Sequence, residues 1–86
     1  MELPQRLIEL GTLSGTQFEI AFLTMMSEHH AMAVDEGREC LRAAEHRELR
    51  SLCGSIVSDQ LREIAQMETW LCRWYGDCRF TFLRTA

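Results

Sequence analysis

The chain has 86 residues, which allows one small domain, and its 47% hydrophobic and 26% charged content is typical of a globular protein. Its net charge is −4, and its nine Lys and Arg residues are all arginines that alternate with acidic residues, a pattern that argues against nucleic-acid binding. No apolar run approaches the roughly 18 residues that would span a membrane, so membrane insertion is not expected.

The first two helices are indicated by residues that start and stop helices. A proline in the first turn and a glycine stop predict a short helix over residues 4–10. Ser14 and Gln17 then have the spacing of a capping box, in which each side chain bonds to the other residue's backbone N–H. We therefore predict a long second helix over about residues 15–44.

A third helix is predicted over about residues 47–75, with Gly76 as its left-handed stop. The connection between the two long helices is so short that they must be antiparallel neighbours. The remaining residues 77–86 form a C-terminal arm, either a strand or an ordered extension. The predicted fold class is all-α, a single helical domain over residues 1–86 that consists of a hairpin preceded by a short helix.

The second helix has more apolar surface than one partner helix would cover. At about 100° per residue, one arc contains Phe18, Phe22, Met25, His29, Met32, Glu36, Cys40 and Ala43. A second stripe contains Leu23, His30, Val34 and Leu41. We expect the first arc to face the third helix and the second stripe to lack full cover. This predicts a homodimer in which two hairpins form a four-helix bundle.

Polar side chains of the two helices come level in the hairpin. His29 is expected to face Gln60 and Glu63, and the Met25–Met26 pair to lie level with Met67. Imidazole and thioether together suit copper, especially Cu(I). The alternative is equally open at this point, because methionine fills irregular cores and a buried imidazole is often satisfied by Gln or Glu. His30 should lie toward the second stripe.

The segments "LSGTQFEIAFLTMMSEHHAMAV" and "HRELRSLCGSIVSDQLREIAQMETWL" resemble the domain-of-unknown-function family 305. Its signature is an FLxMM-x-x-HH-x-x-A helix followed by an ELxxLA…I…QxxEIxxMxxW helix, and the match runs from Leu13 to about Trp74. The resemblance implies a ferritin-like four-helix bundle, export from the cytoplasm and an association with copper.

Site residues follow from that resemblance position by position. The implied metal ligands are Met25, Met26, His29, His30 and Met67, and the implied surrounding partners are Gln60, Glu63 and Glu36. Glu36 stands where the family usually has methionine, and Gly37 where it usually has alanine. Loss of one thioether weakens the case for Cu(I), and a carboxylate there favours harder or borderline ions.

Four cysteines in so short a chain favour an oxidising compartment, although the stretch MELPQRLIEL lacks the features of a signal peptide. We expect a periplasmic or extracellular protein. The hairpin register places Cys40 opposite Cys53, and a reversal at Gly76 would bring Cys72 to Cys78. Two disulfides are predicted; free buried thiols at Cys40 and Cys53 are the open alternative.

Two functions compete on these observations. The first is a copper-binding scavenger or buffer outside the cytoplasm that uses Met and His side chains. The second is a non-catalytic structural or interaction module that dimerises, with its histidines hydrogen-bonded in the core. No enzyme is expected, because the chain lacks a phosphate loop, a nucleophile elbow and the Glu-x-x-His motifs of di-iron bundles.

Overall fold

The computed structural model describes residues 5–78, which form three helices and the short connections between them. They are α1 (Gln5–Leu10), α2 (Gly15–Ala43) and α3 (Arg47–Tyr75). The described residues contain no strand, so the all-α prediction of a short helix and two long ones is confirmed. Most of the predicted C-terminal arm, residues 79–86, lies outside the described residues, as do residues 1–4.

The long helices end where local chemistry satisfies their last carbonyl groups. Gly76 has φ 70°, its N–H donates to the carbonyl of Cys72, and the N–H of Asp77 donates to the carbonyl of Leu71, which confirms the predicted glycine stop. At the end of α2, the Arg50 guanidinium donates to the carbonyl oxygens of Leu41 and Ala44. These bonds replace intrahelical partners that the last turn of α2 lacks.

The start of α2 differs from the prediction in its hydrogen bonding. The helix begins at Gly15 as expected, but Ser14 makes no side-chain capping bond, so the predicted capping box with Gln17 is wrong. Gly15 has a φ of 57°, outside the helical conformation that a capping box requires of the first residue after the cap. The backbone carbonyl of Ser14 still accepts from the N–H of Phe18, at 3.3 Å.

The hairpin core lies between α2 and α3. Val34 and Ile64 are completely buried, and Leu23 packs with Met67 and Leu71 near the open end of the hairpin. The stripe that contains Leu23 and Val34 therefore faces α3, and the prediction that it would lack cover was wrong.

The arc predicted to face α3 is instead the more exposed one. Phe22, His29, Met32 and Glu36 are all exposed, and the Met32 side chain is 61% accessible. Burying this arc would have removed the His29 imidazole and the Glu36 carboxylate from water, whereas the Leu23–Val34 stripe contains one polar side chain, His30, which pairs with Glu63. The rotation of α2 about its axis thus follows the stripe that is easier to desolvate.

The two long helices approach closely near their connection. A Cβ placed on Gly37 would lie 2.7 Å from the Val57 Cγ2 atom and 3.4 Å from the Cys53 carbonyl oxygen. One turn further along α2, Cys40 is bonded to Cys53 with a Cα–Cα distance of 6.0 Å. Ordinary packed helices have axes about 8–10 Å apart, which is farther than a disulfide's Cα atoms normally lie from each other. Because Gly37 has no side chain to keep the helices apart, it allows the close approach that the disulfide needs.

The three helices form a thin layer. Helix α1 packs on α2 but not on α3, and Arg6 pairs with Glu28 at 2.8 Å across that contact. The molecule measures 44 × 37 × 15 Å, so its thinnest dimension is little more than the ~10–12 Å diameter of one helix. In this layer, both broad faces of the hairpin remain accessible.

Candidate functional site

A groove of about 250 Å³ between α2 and α3 collects several of the predicted metal ligands. Its walls are formed by Phe22, Met26, His30, Glu63, Gln66, Met67 and Trp70. The α2 residues are spaced four apart, and those of α3 follow three- and four-residue steps, so each set lies along one side of its helix. The groove is therefore a direct product of helical periodicity on both walls.

His30 is fixed in the groove by a carboxylate. Its Nε2 atom lies 2.7 Å from Oε1 of Glu63, and its side chain is 12% exposed against 55% for the glutamate. We predicted this contact for His29, which is exposed instead. His30 is four residues before the buried Val34 and so shares its stripe, whereas His29 is rotated about 100° away.

The methionines divide between two sites. Met67 is 7% exposed, and Met26 packs against the core cluster that contains it. Met25 lines a separate hollow between α1 and α2, together with Arg6 and Glu9. Adjacent positions on a helix point about 100° apart, so one methionine of the pair faces α3 and the other faces α1.

The groove contains four residues of the predicted site and omits four others. Met26, His30, Glu63 and Met67 line it. The predicted residues that do not line it are Met25, His29, Gln60 and Glu36. Sequence reasoning did not assign Phe22, Gln66 or Trp70 to the site, although Phe22 lies four residues before Met26 and Trp70 three after Met67.

The groove is lined by side chains with soft and borderline donor atoms. They comprise two thioethers and one imidazole, with the carboxylate of Glu63 already in contact with that imidazole. Among the residues that the structure describes, no group of three or more His, Cys, Asp or Glu side chains is arranged to hold a metal ion. Thioether sulfur prefers Cu(I), and a carboxylate on the outer nitrogen of a ligating histidine is a common arrangement.

All four cysteines are paired within the chain. Cys40 bonds to Cys53, and Cys72 bonds to Cys78 with a Cα–Cα distance of 4.2 Å. These are the two pairings that the hairpin register and the reversal at Gly76 predict. No cysteine is left as a thiolate donor in the groove.

The end of the hairpin beside the groove is tied by a tyrosine. The Tyr75 hydroxyl donates to Glu19 Oε1, a contact that joins the end of α3 to the start of α2. Hydrogen bonding to the carboxylate, with smaller contributions from burial and from the charge of Glu19, raises the pKa of Tyr75 above its ordinary value. Tyr75 also packs against the cluster that contains Met67, so this bond supports the buried wall of the groove.

These features define a disulfide-bonded helical hairpin with a groove lined by thioethers, an imidazole and aromatic rings. Its sequence matches the family described as Domain of unknown function (DUF305) over residues 1–71, and the chain belongs to that family. Searches of the curated proteins and of the solved structures found no match. Within the described residues, no helix combines the length and the apolar composition needed to cross a membrane.

Proposed function

We propose that this protein binds copper as Cu(I) in the groove between α2 and α3 and acts as a copper scavenger or buffer. The observation that carries the proposal is that Met26, His30 and Met67 line one groove although they come from two helices. Two thioethers and an imidazole match the ligand preference of Cu(I) better than that of harder ions. The ion would be cargo, and no catalytic role is proposed for any residue.

Glu63 supports this role by orienting the imidazole. When His30 Nε2 carries the proton and donates to Glu63, the lone pair is on Nδ1. A carboxylate in this position also increases the basicity of the ligating nitrogen. The contact with Glu63 therefore holds the His30 ring in place and also favours the tautomer whose Nδ1 atom has a lone pair for a metal ion.

We also propose that the protein acts outside the cytoplasm, in the periplasm or the extracellular space. The support is the pair of disulfides, Cys40–Cys53 and Cys72–Cys78, because such bonds persist in oxidising compartments and are rare in the cytosol.

Adjacent residue pairs provide matched controls for the copper site. Cu(I) affinity is measured by competition with a chromogenic chelator under anaerobic conditions. Met26→Leu and His30→Ala are expected to weaken Cu(I) binding by at least about tenfold. Loss of a residue that only supports a ligand already costs about that much, and these two residues are proposed as ligands themselves. Met25→Leu and His29→Ala make the same changes one position away and should leave the affinity unchanged. Equal affinities for all four variants would refute this site.

A second candidate function has one specific observation in its favour. The contact of His30 with Glu63 already satisfies a nearly buried imidazole without any metal, as a purely structural role requires. In that case the chain is a non-catalytic module that acts through its surface. The melting temperature distinguishes the two candidates, because a ligand that binds only the folded state must raise it. No rise with excess Cu(I) or Cu(II) would favour the structural role.

A further inference from the structure

One broad face of the hairpin, the side on which the groove opens, carries exposed apolar residues on both helices. Leu49, Ile56, Glu63 and Trp70 follow one another at seven-residue intervals along α3, so they share one stripe. Glu63 and Trp70 line the groove, which places the whole stripe on its side of the layer. On α2, Phe22 lines the same groove and so also lies on this side of the layer. We call this surface the groove face.

The exposure of the groove face is high for large apolar side chains. Leu49 is 46% exposed, and Leu52, three residues further on, is 57% exposed. At the other end of the stripe, Trp74 stacks on Trp70 and is still 50% exposed. Phe22 stacks on Phe18 and is 37% exposed. The exposed apolar side chains of α3 therefore lie toward both ends of the helix on this face, on either side of the exposed Glu63.

The opposite face of the layer has a different composition. Arg38 and Arg42, four residues apart, lie on that side of α2. On α3 the same side carries the small residues Gly54, Ser58 and Ala65. A helix with one apolar and one polar side buries the apolar side against another element. Because α1 packs on the outer edge of α2, it does not provide that element for α3.

The amount of uncovered surface matches the requirement of a dimer. From Leu49 to Trp74 the groove face is about 38 Å long at 1.5 Å per residue, and two packed helices are about 20 Å wide, so this face covers roughly 750 Å². That area is close to the ~800 Å² that each partner contributes to a standard stable interface. A second copy also supplies a stripe of the same length and composition, as an isologous contact requires.

We infer that the groove face is covered by a second copy of this chain, so that two hairpins stack into a four-helix bundle with the grooves inside. This inference rests on the proposed function in one respect only, the identity of the ion that the covered groove would hold. With a second layer in place, Met26, His30 and Met67 are closed off from solvent by the partner's α2 and α3. The copper site would then be internal to the assembly.

Sedimentation equilibrium of the metal-free protein tests the surface without reference to copper. Wild-type protein is expected at about twice its 10.0 kDa chain mass at micromolar concentration. Leu52→Glu should weaken the dimer by roughly 100-fold or more, because each copy would bury an unpaired carboxylate. Ser58→Glu places the same charge on the opposite face of the same helix and should leave the dimer intact. A monomeric wild type, or equal masses for both variants, would overturn the inference.

Two further measurements keep the test decisive if the Leu52→Glu variant does not fold. Both tryptophans of the chain, Trp70 and Trp74, lie on the groove face, so dissociation on dilution should shift their emission to longer wavelength. The melting temperature of wild-type protein should also rise with protein concentration, as expected when folding and association are linked. An emission maximum and a melting temperature that are both independent of concentration would contradict the dimer.

Copper binding then separates this inference from the proposed function. Leu52 does not line the groove, yet Leu52→Glu should weaken Cu(I) binding, because in this proposal the partner closes the groove around the ion and so strengthens its binding, and linkage makes that coupling reciprocal. A metal-free dimer that does not bind Cu(I) would refute the proposed function and leave the interface standing. A monomer that binds Cu(I) through Met26 and His30 would refute the interface and leave the function standing.

Discussion

Replacement of Gly37 by alanine tests whether the close approach of the two long helices is a real constraint. The new Cβ would lie 2.7 Å from Val57 Cγ2, well inside the 3.4–4 Å of an ordinary contact. Valine is branched at Cβ and has few alternative rotamers in a helix, so Val57 has little freedom to move away. The disulfide between Cys40 and Cys53, one turn further on, prevents the helices from separating.

The net effect of Gly37→Ala combines two opposing contributions. Overpacking a buried site costs about 1–3 kcal/mol, and alanine in a helix interior restores about 1 kcal/mol relative to glycine. We therefore expect the free energy of unfolding to fall by about 1 kcal/mol. Gly54→Ala is the matched control, because its Cβ would meet only Leu41 Cδ2 at 3.9 Å. That variant should be stabilised by about 1 kcal/mol.

The assay is urea unfolding followed by circular dichroism at 222 nm, with both disulfides intact and all proteins at one concentration. The two variants should differ by about 2 kcal/mol and in opposite directions from wild type. In a Val57→Ala background the overlap disappears, so Gly37→Ala should become stabilising by about 1 kcal/mol. If Gly37→Ala stabilises the wild-type chain as much as Gly54→Ala does, the close approach imposes no constraint and the reasoning fails.

Three further predictions concern the disulfides, the tyrosine and the groove. Replacing Cys40 and Cys53 by alanine should lower the free energy of unfolding by about 3 kcal/mol, because the disulfide restricts the unfolded chain by closing a loop. Chemical denaturation measures this change, and a loss below about 1 kcal/mol would contradict the prediction. Because the pKa of Tyr75 is raised, its stabilising bond is fully present below pH ~10 and is lost as the pH rises through the folded-state pKa. The chain has one tyrosine, so absorbance at 295 nm follows its ionisation directly. Glu19→Gln should return the pKa of Tyr75 toward its ordinary value. An unchanged titration would argue against the hydrogen bond between Tyr75 and Glu19. Glu63→Gln should weaken Cu(I) binding by about 10- to 100-fold through His30, whereas an unchanged affinity would show that the carboxylate does not support the ligand.

The helix boundaries and the cysteine pairs were predictable because each depends on local features of the chain. Gly76 ends α3 because the left-handed conformation suits glycine, and this preference is independent of the rest of the fold. The connection between the long helices is only three residues long, which sets the register of the hairpin. That register places Cys40 beside Cys53, and it also places His30 beside Glu63.

The orientation of α2 about its own axis was decided only by tertiary packing. The helix has apolar residues around more than half of its circumference, so periodicity alone allowed either the Phe22 arc or the Leu23 stripe to face α3. If the residue that faces α3 changes to its neighbour in the sequence, the helix is rotated by about 100°. This rotation is enough to place His30 and Met26 in the groove in place of His29 and Met25. The choice depends on the free energy of desolvating whole faces against one particular partner surface, a quantity that no local pattern contains.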